Sequence, residues 1–197
     1  MKKSPKFIAG IDEAGRGPIA GPVSVGVLVV EKKHLRFLRG IKDSKKLSEK
    51  AREEWFFKIK TLSEKNIFRW SVVLVSEKII DKKGISFAIR TGIHASLTKL
   101  KVGENTEILL DGALKAPAVY KYQKTIIKGD EKKPVISAAS IMAKVVRDRH
   151  MKKISKKYPD YAFEKHKGYG TKEHYKKIKK HGLSKIHRRS FLKKLSS

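Results

Sequence analysis

The chain has 197 residues, 48 of them Lys or Arg against 19 Asp or Glu, a formal net charge of +29. A domain of this size buries about 70% of its unfolded surface, and 40% hydrophobic residues are enough for one good core, which excludes a disordered polar chain. The longest uncharged stretch, residues 17–30, is shorter than the roughly 20 apolar residues of a spanning helix, so no membrane crossing is expected.

Residues 1–6 are basic but lead into no signal-peptide apolar region, which predicts a cytoplasmic protein. Phe7–Asp12 and Val23–Glu31 are β-branched runs separated by a Gly/Pro loop and predict two strands. Ser48–Thr61 has helical spacing, with Ser48 as the cap and Ala51, Trp55, Phe56 and Ile59 on the apolar side. Phe68–Ser76 predicts a third strand, Ser86–Lys101 a second helix, and Glu107–Asp111 and Lys124–Ile127 two short strands. After Pro134, residues Val135, Ala138, Ala139, Met142, Val145 and Val146 mark one face of a long helix. Strands first, then alternating helix and strand, predict an α/β fold with a central mixed β-sheet flanked by helices. No internal repeat or linker divides the chain, so a single domain over 1–197 is expected, with about 150–197 forming a basic helical C-terminal extension packed on it.

Residues 150–197 carry sixteen Lys or Arg against Asp160, Glu164 and Glu173. So basic a protein repels itself unless it meets a polyanion, and release of counterions from a phosphate backbone is the usual driving force, so nucleic acid is the expected partner. The absence of cysteine excludes disulfides, a zinc ribbon and a thiol nucleophile, leaving oxygen and imidazole as possible metal ligands. The seven histidines lie mostly in basic helical or loop context and are expected to be solvated.

Acids are scarce, so their places matter. Asp12 and Glu13 end an apolar run, and Asp111 ends Ile108-Leu109-Leu110. A charge at the end of a buried strand needs a partner, and a hard divalent cation held by several carboxylates fits. Each acid alone also suits a turn or a helix cap. Asp12 and Glu13 are neighbours, which a regular strand turns to opposite faces, so the strand is expected to stop there, at Gly15 and Gly17. Gly15-Arg16-Gly17 followed by Gly21 lacks the spacing of a dinucleotide fingerprint, and no Gly-Lys-Ser/Thr follows, so it is not a P-loop. Its small residues offer backbone amides for close approach of a sugar or phosphate.

Several segments carry a resemblance: Gly10-Ile11-Asp12-Glu13-Ala14-Gly15-Arg16-Gly17-Pro18, Asp43-Ser44-Lys45-Lys46-Leu47-Ser48, Leu110-Asp111-Gly112 and Lys128-Gly129-Asp130 in the first part of the chain. Further on come residues 137–148, opening Ser137-Ala138-Ala139-Ser140, then His166-Lys167-Gly168-Tyr169-Gly170-Thr171 and His187-Arg188-Arg189-Ser190-Phe191. Together, and in this order from about residue 7 to 191, they resemble ribonuclease HII. The related ribonuclease HIII carries an extra domain ahead of the Asp-Glu pair, whereas eleven residues precede Asp12 here. The resemblance implies a ribonuclease H-like fold and an endonuclease that cuts the RNA strand of RNA/DNA hybrids and nicks 5′ of ribonucleotides embedded in duplex DNA. It implies Asp12, Glu13, Asp111 and Asp130 as catalytic, metal-binding acids for two Mn²⁺ or Mg²⁺ ions, with 5′-phosphate and 3′-hydroxyl products, and similar enzymes act as monomers. It further implies that the backbone of Gly15, Arg16 and Gly17, with Tyr169, reads the ribose 2′-hydroxyl.

Asp148 is a rival for the fourth acid, but a helix starting near Ser137 carries it about 17 Å along the axis, too far to share a metal pair with Asp130. An ion pair with Lys144 at i, i+4 is the expected role of Asp148. Lys45, Lys46, Ser140, Lys144, Arg188 and Arg189 are candidate phosphate contacts, which position a duplex without reading its sequence. Two other classes remain open at this stage. A non-catalytic basic nucleic-acid-binding protein would be indifferent to divalent metal, and a related metal nuclease would cut DNA or junctions.

Overall fold

A computed structural model describes residues 4–192. Residues 1–3 of the basic N-terminus and 193–197 of the basic C-terminal stretch lie outside the described residues.

Among the described residues, five strands form one sheet in the order β3-β2-β1-β4-β5. They are β1 (Phe7–Ala14), β2 (Val23–Glu31), β3 (Phe68–Val75), β4 (Thr106–Asp111) and β5 (Gln123–Ile126). The first three are antiparallel neighbours, while β4 runs parallel to both β1 and β5. The mixed sheet flanked by helices is thus as expected. β2 reads as a continuous apolar run because helices cover both sheet faces and bury Val23 through Val30.

One face carries Ala9, Ile11, Val25 and Val27 against Ile89, Ile93 and Leu97 of α3 (Ile85–Lys99), with Ile80 of the short α2 (Glu77–Lys83) beside them. The other face carries Ile8, Leu28, Val30 and Phe68 against Phe56 and Ile59 of α1 (Glu49–Glu64) and against α5 (Pro134–Ser155). Each fully buried aliphatic side chain here contributes about 1.5–3 kcal/mol. Ser48 caps α1 as expected, its hydroxyl accepting the Ala51 N–H at 3.2 Å. The α5 backbone lies directly on β1 and β2, since a Cβ on Gly10 would collide with the Val135 carbonyl and one on Gly26 with that of Ala139. Alternation along β1 therefore turns Asp12, two residues beyond Gly10, towards α5 as well. Sequence reading does not anticipate α2, whose seven residues hold only Ile79 and Ile80 as apolar anchors.

The segment beyond α5 builds a third, smaller cluster from α4-independent pieces: α4 (Gly129–Lys132) belongs to the sheet edge, whereas α6 (Phe163–His166) and α7 (Lys172–His181) follow α5. Tyr161, Phe163, Ile178 and Ile186 pack there on Met151 and on Ile19 and Ala20 of the loop after β1. The boundary expected near residue 150 falls inside α5, which continues to Ser155, so the new layer starts after that helix. Among the described residues, no helix is long and apolar enough to cross a membrane.

Candidate active site

β1 does not stop at the acids as expected. Its ladder with β2 continues through Asp12 and Glu13 to the Ala14–Ser24 pair, while its ladder with β4 ends at Ile11–Leu110. The parting of β1 and β4, not a strand end, opens the space into which Asp12 and Asp111 project. Asp130 arrives from α4, reached through a left-handed turn at Lys128 (φ 54°). Asp111 Oδ1 accepts the Gly129 N–H at 2.6 Å and that of Asp130 at 3.3 Å, so it caps the element that delivers the third acid. The Ser137 hydroxyl donates to the Asp130 carbonyl at 2.6 Å and ties α4 to α5.

Among the described residues, Asp12, Asp111 and Asp130 form a group whose carboxylate oxygens lie within 4.8 Å of one another. Glu13 lines the same cleft but stands outside this trio, its carboxylate 3.3 Å from the Arg16 guanidinium. Burial, with the charges of Glu13 and Asp111 nearby, raises the Asp12 carboxyl well above its ordinary range, and Ser140 eases it only in part. Burial also raises Glu13, against the pull of Arg16.

The donor set fits a divalent cation: hard oxygens converge, two of the three acids are buried, and a cation already leans in. That cation is the Lys45 ammonium, 3.0 Å from Asp130 Oδ2. Burial opposes its charge, but the hydrogen bond to Asp130 and the acids around it hold its pKa above the ordinary lysine value. Asp148 stays outside the group and pairs with Lys144 at 2.9 Å, as the i, i+4 spacing predicts.

Gly15, Arg16, Gly17, Lys144 and Tyr169 line the cleft around the acids, with Lys45 and Ser140. Tyr169 is exposed between glycines and lies 5.9 Å from Lys144 Nζ, measured to its ring centre. Ser140 is buried, paired to Ser44 at 2.8 Å, so it supports the cleft floor. Lys46 pairs with Glu131 at 2.7 Å, beside Asp130. Arg189 is exposed but outside the cleft lining, its backbone N–H on Asp81 at 2.9 Å.

Two expectations need correction. Arg188 is not available to a phosphate: it is fully buried and donates to the carbonyls of Gly15 (2.7 Å), Arg16 (3.0 Å) and Gly21 (2.8 Å). Burial and the like charge of Arg147 lower its pKa to about 9, so it remains a cation at neutral pH. Arg147, unmarked by sequence reading, is likewise buried and donates to Pro22, Lys167 and Ala20. These two forks hold the glycine loop from beneath. Nor are all the histidines solvated, because His166, His174 and His187 are buried together in the C-terminal layer.

A parallel and antiparallel sheet that gathers carboxylates where its central strands part defines a hydrolase of the ribonuclease H type. The family model for ribonuclease HII matches residues 9–194. The chain is 47% identical over 192 residues to ribonuclease HII of Caldicellulosiruptor bescii, covering 98% of this chain and 89% of that one. The crystal structure of ribonuclease H2 from Pyrococcus horikoshii superposes with a TM-score of 0.72 at 30% identity, covering 96% of each chain. A Bst ribonuclease HIII in complex with Mn²⁺ shares the fold, with a TM-score of 0.65 at 19% identity over 96% of this chain and 66% of that one. The chain belongs to the ribonuclease HII family.

Proposed function

We propose that this protein cuts the RNA strand of RNA/DNA hybrids and nicks duplex DNA on the 5′ side of an embedded ribonucleotide, leaving 5′-phosphate and 3′-hydroxyl ends. The observation that carries the reading is the convergence of Asp12, Asp111 and Asp130, with the Lys45 ammonium paired to Asp130 at its edge. Asp12, Asp111 and Asp130, with Glu13 on the adjoining wall, would hold two Mn²⁺ or Mg²⁺ ions. Bound there, such ions supply charge to the scissile phosphate, a more acidic attacking water and support for the departing 3′ oxygen.

The chain's own groups do the rest. The Asp12 carboxyl, disfavoured as an anion by burial and by Glu13, gains most from a cation. Lys45, released from Asp130, becomes a free ammonium at the cleft mouth for a flanking phosphate, with Lys46, Lys144 and Arg189 extending the basic track. Ser140 backs Asp12 and the Ser44 turn. Gly15 and Gly17 carry no side chain on either side of Arg16, so the loop's amides can approach a ribose 2′-hydroxyl, the group that separates RNA from DNA. Tyr169 closes the opposite wall, where its ring can pack on a sugar. Arg188 belongs beneath the loop as its brace. We read the whole chain as one catalytic unit, monomeric and cytoplasmic, with the basic segment after α5 adding affinity for the duplex.

The test is a labelled DNA duplex with one ribonucleotide beside an all-DNA control, each with Mn²⁺, Mg²⁺ or chelator. A metal-dependent nick 5′ of the ribonucleotide, absent from the control, is expected. Binding without cutting in either metal refutes the reading, and cutting of both duplexes removes the role of Gly15, Arg16, Gly17 and Tyr169.

A further inference from the structure

Three histidines in the C-terminal layer stand directly behind one wall of the acidic cleft and take no part in the acid cluster. His166 ends α6, His174 lies on α7, and His187 follows it; all three are buried. His166 and His174 stack with ring centres 4.3 Å apart, and Phe163 meets His174 edge-on at 5.4 Å.

Backbone groups decide where each proton sits. The Tyr169 carbonyl can only accept, so His174 presents Nδ1–H to it at 2.8 Å. The Ser184 N–H can only donate, so His187 Nδ1 is bare and accepts it at 2.9 Å. In neutral rings this leaves Nε2 bare on His174 and protonated on His187, and these two atoms face each other at 3.0 Å. One donor meets one acceptor. A further proton on either ring would set N–H against N–H, and burial holds both rings neutral, with pKa values lowered to about 4. On the other side, His166 Nε2–H donates to the Tyr161 carbonyl at 2.8 Å and its Nδ1 accepts the Gly168 N–H at 3.2 Å.

Tyr169 is therefore held on both sides: its N–H donates to the His166 carbonyl at 2.9 Å, and its own carbonyl also accepts the Thr171 N–H at 2.9 Å. Its ring alone is free, exposed at the cleft. We propose that the His187–His174 relay is a positioning device for Tyr169, holding its backbone so that the ring stands ready to pack on a sugar or base of a bound duplex. The C-terminal segment, which supplies none of the clustered acids, thereby sets the affinity of the cleft. This inference rests on the nuclease reading above.

Two measurements on the full chain test it. In ¹⁵N-labelled protein near neutral pH, His174 is expected to show the Nδ1–H form and His187 the Nε2–H form; two Nε2–H rings, or a charged one, overturn the relay. The second reads affinity for a DNA duplex with one ribonucleotide by anisotropy, with Ca²⁺ as a non-cleaving ion. His174→Gln reaches His187 but leaves the Tyr169 carbonyl, and is expected to weaken binding about fivefold. His174→Asn keeps an amide N–H near the Nδ1 position and is expected to return affinity to within about twofold of wild type. In a Tyr169→Ala background, His174→Gln is expected to add nothing. Equal losses in the Asn and Gln variants, or additive losses in the cycle, assign His174 a merely structural role and overturn the proposal. Wild-type cleavage in Mn²⁺ is read in parallel, so a protein that binds without cutting refutes the nuclease reading while ring tautomers and affinities still judge the relay.

Discussion

In the acidic cleft, Asp12 is buried beside Glu13 and Asp111, and its charge is disfavoured by all three circumstances at once. In the C-terminal layer and the part of α5 it packs on, Arg188, His174, His187 and the α5 residue Arg147 are equally buried, yet each meets a matched backbone or ring partner. The first region stores unfavourable electrostatics that a bound cation would relieve. The second satisfies every group it hides and so acts as a rigid mount for the loop and the tyrosine of the cleft. Buried polarity thus has two uses in one molecule: a mismatch where a ligand must enter, and a match where geometry must hold.

Breaking the mismatch has the largest expected effect. Asp130→Asn removes an acid from the trio and should lower cleavage about a thousandfold, the equivalent of several kcal/mol of transition-state stabilisation. Asp148→Asn, outside the trio, should leave most of the activity; steady-state rates on a single-ribonucleotide duplex decide, and the reverse ranking would discard the assignment.

Breaking the match comes next. Arg188→Lys replaces a planar fork with a point charge that cannot serve the carbonyls of Gly15, Arg16 and Gly21 together. A loss of about 3 kcal/mol is expected, near 10 °C in Tm for a chain of this size. A melting curve within a degree or two of wild type would deny Arg188 its bracing role.

The histidines give the comparison a pH axis. Their pKa values fall from the ordinary 6.5 to about 4 in the fold, so the unfolded chain binds more protons between those limits. Their contribution to stability is complete above pH 6.5 and is lost as pH drops towards 4, with a slope of at most about 1.4 kcal/mol per pH unit for each ring. Tm measured across this window should fall less steeply in His187→Gln than in wild type, and parallel curves would count against neutral buried rings.

The smallest effect has the opposite sign. Because the folded-state pKa of Asp12 is raised, its charge lowers stability at neutral pH, and Asp12→Asn should stabilise the metal-free protein by about 1 kcal/mol, some 2–4 °C. Adding Mn²⁺ should raise the Tm of wild type by mass action and barely move the variant. Equal metal shifts in both would remove Asp12 from the ligand set.

Strand and helix positions were readable because their signals are local. The apolar run of β2, the Ser48 cap and the face of α5 each occupy a few consecutive turns or pairs, and Asp12 and Asp111 drew attention as rare acids ending such runs. Asp130 had no such mark and entered through family resemblance alone. Reading Arg188 as a phosphate contact and His166, His174 and His187 as solvated failed for one reason: in a lysine-rich segment, residue type suggests exposure, whereas burial depends on partners elsewhere in the chain.

By itself, then, the sequence determined the order of the five strands and of the three long helices α1, α3 and α5, the strongly basic charge and the acids at the head of the sheet, all consequences of short-range periodicity and composition. The tertiary structure alone decided that Asp130 joins Asp12 and Asp111 while Glu13 faces Arg16, and that β1 opens the cleft by leaving β4. It also decided that Arg188 and three histidines become internal supports. The carbonyls that Arg188 serves at Gly15 and Gly21 lie 173 and 167 residues away. A hydrogen-bond partner at that separation exists only once the chain has closed on itself.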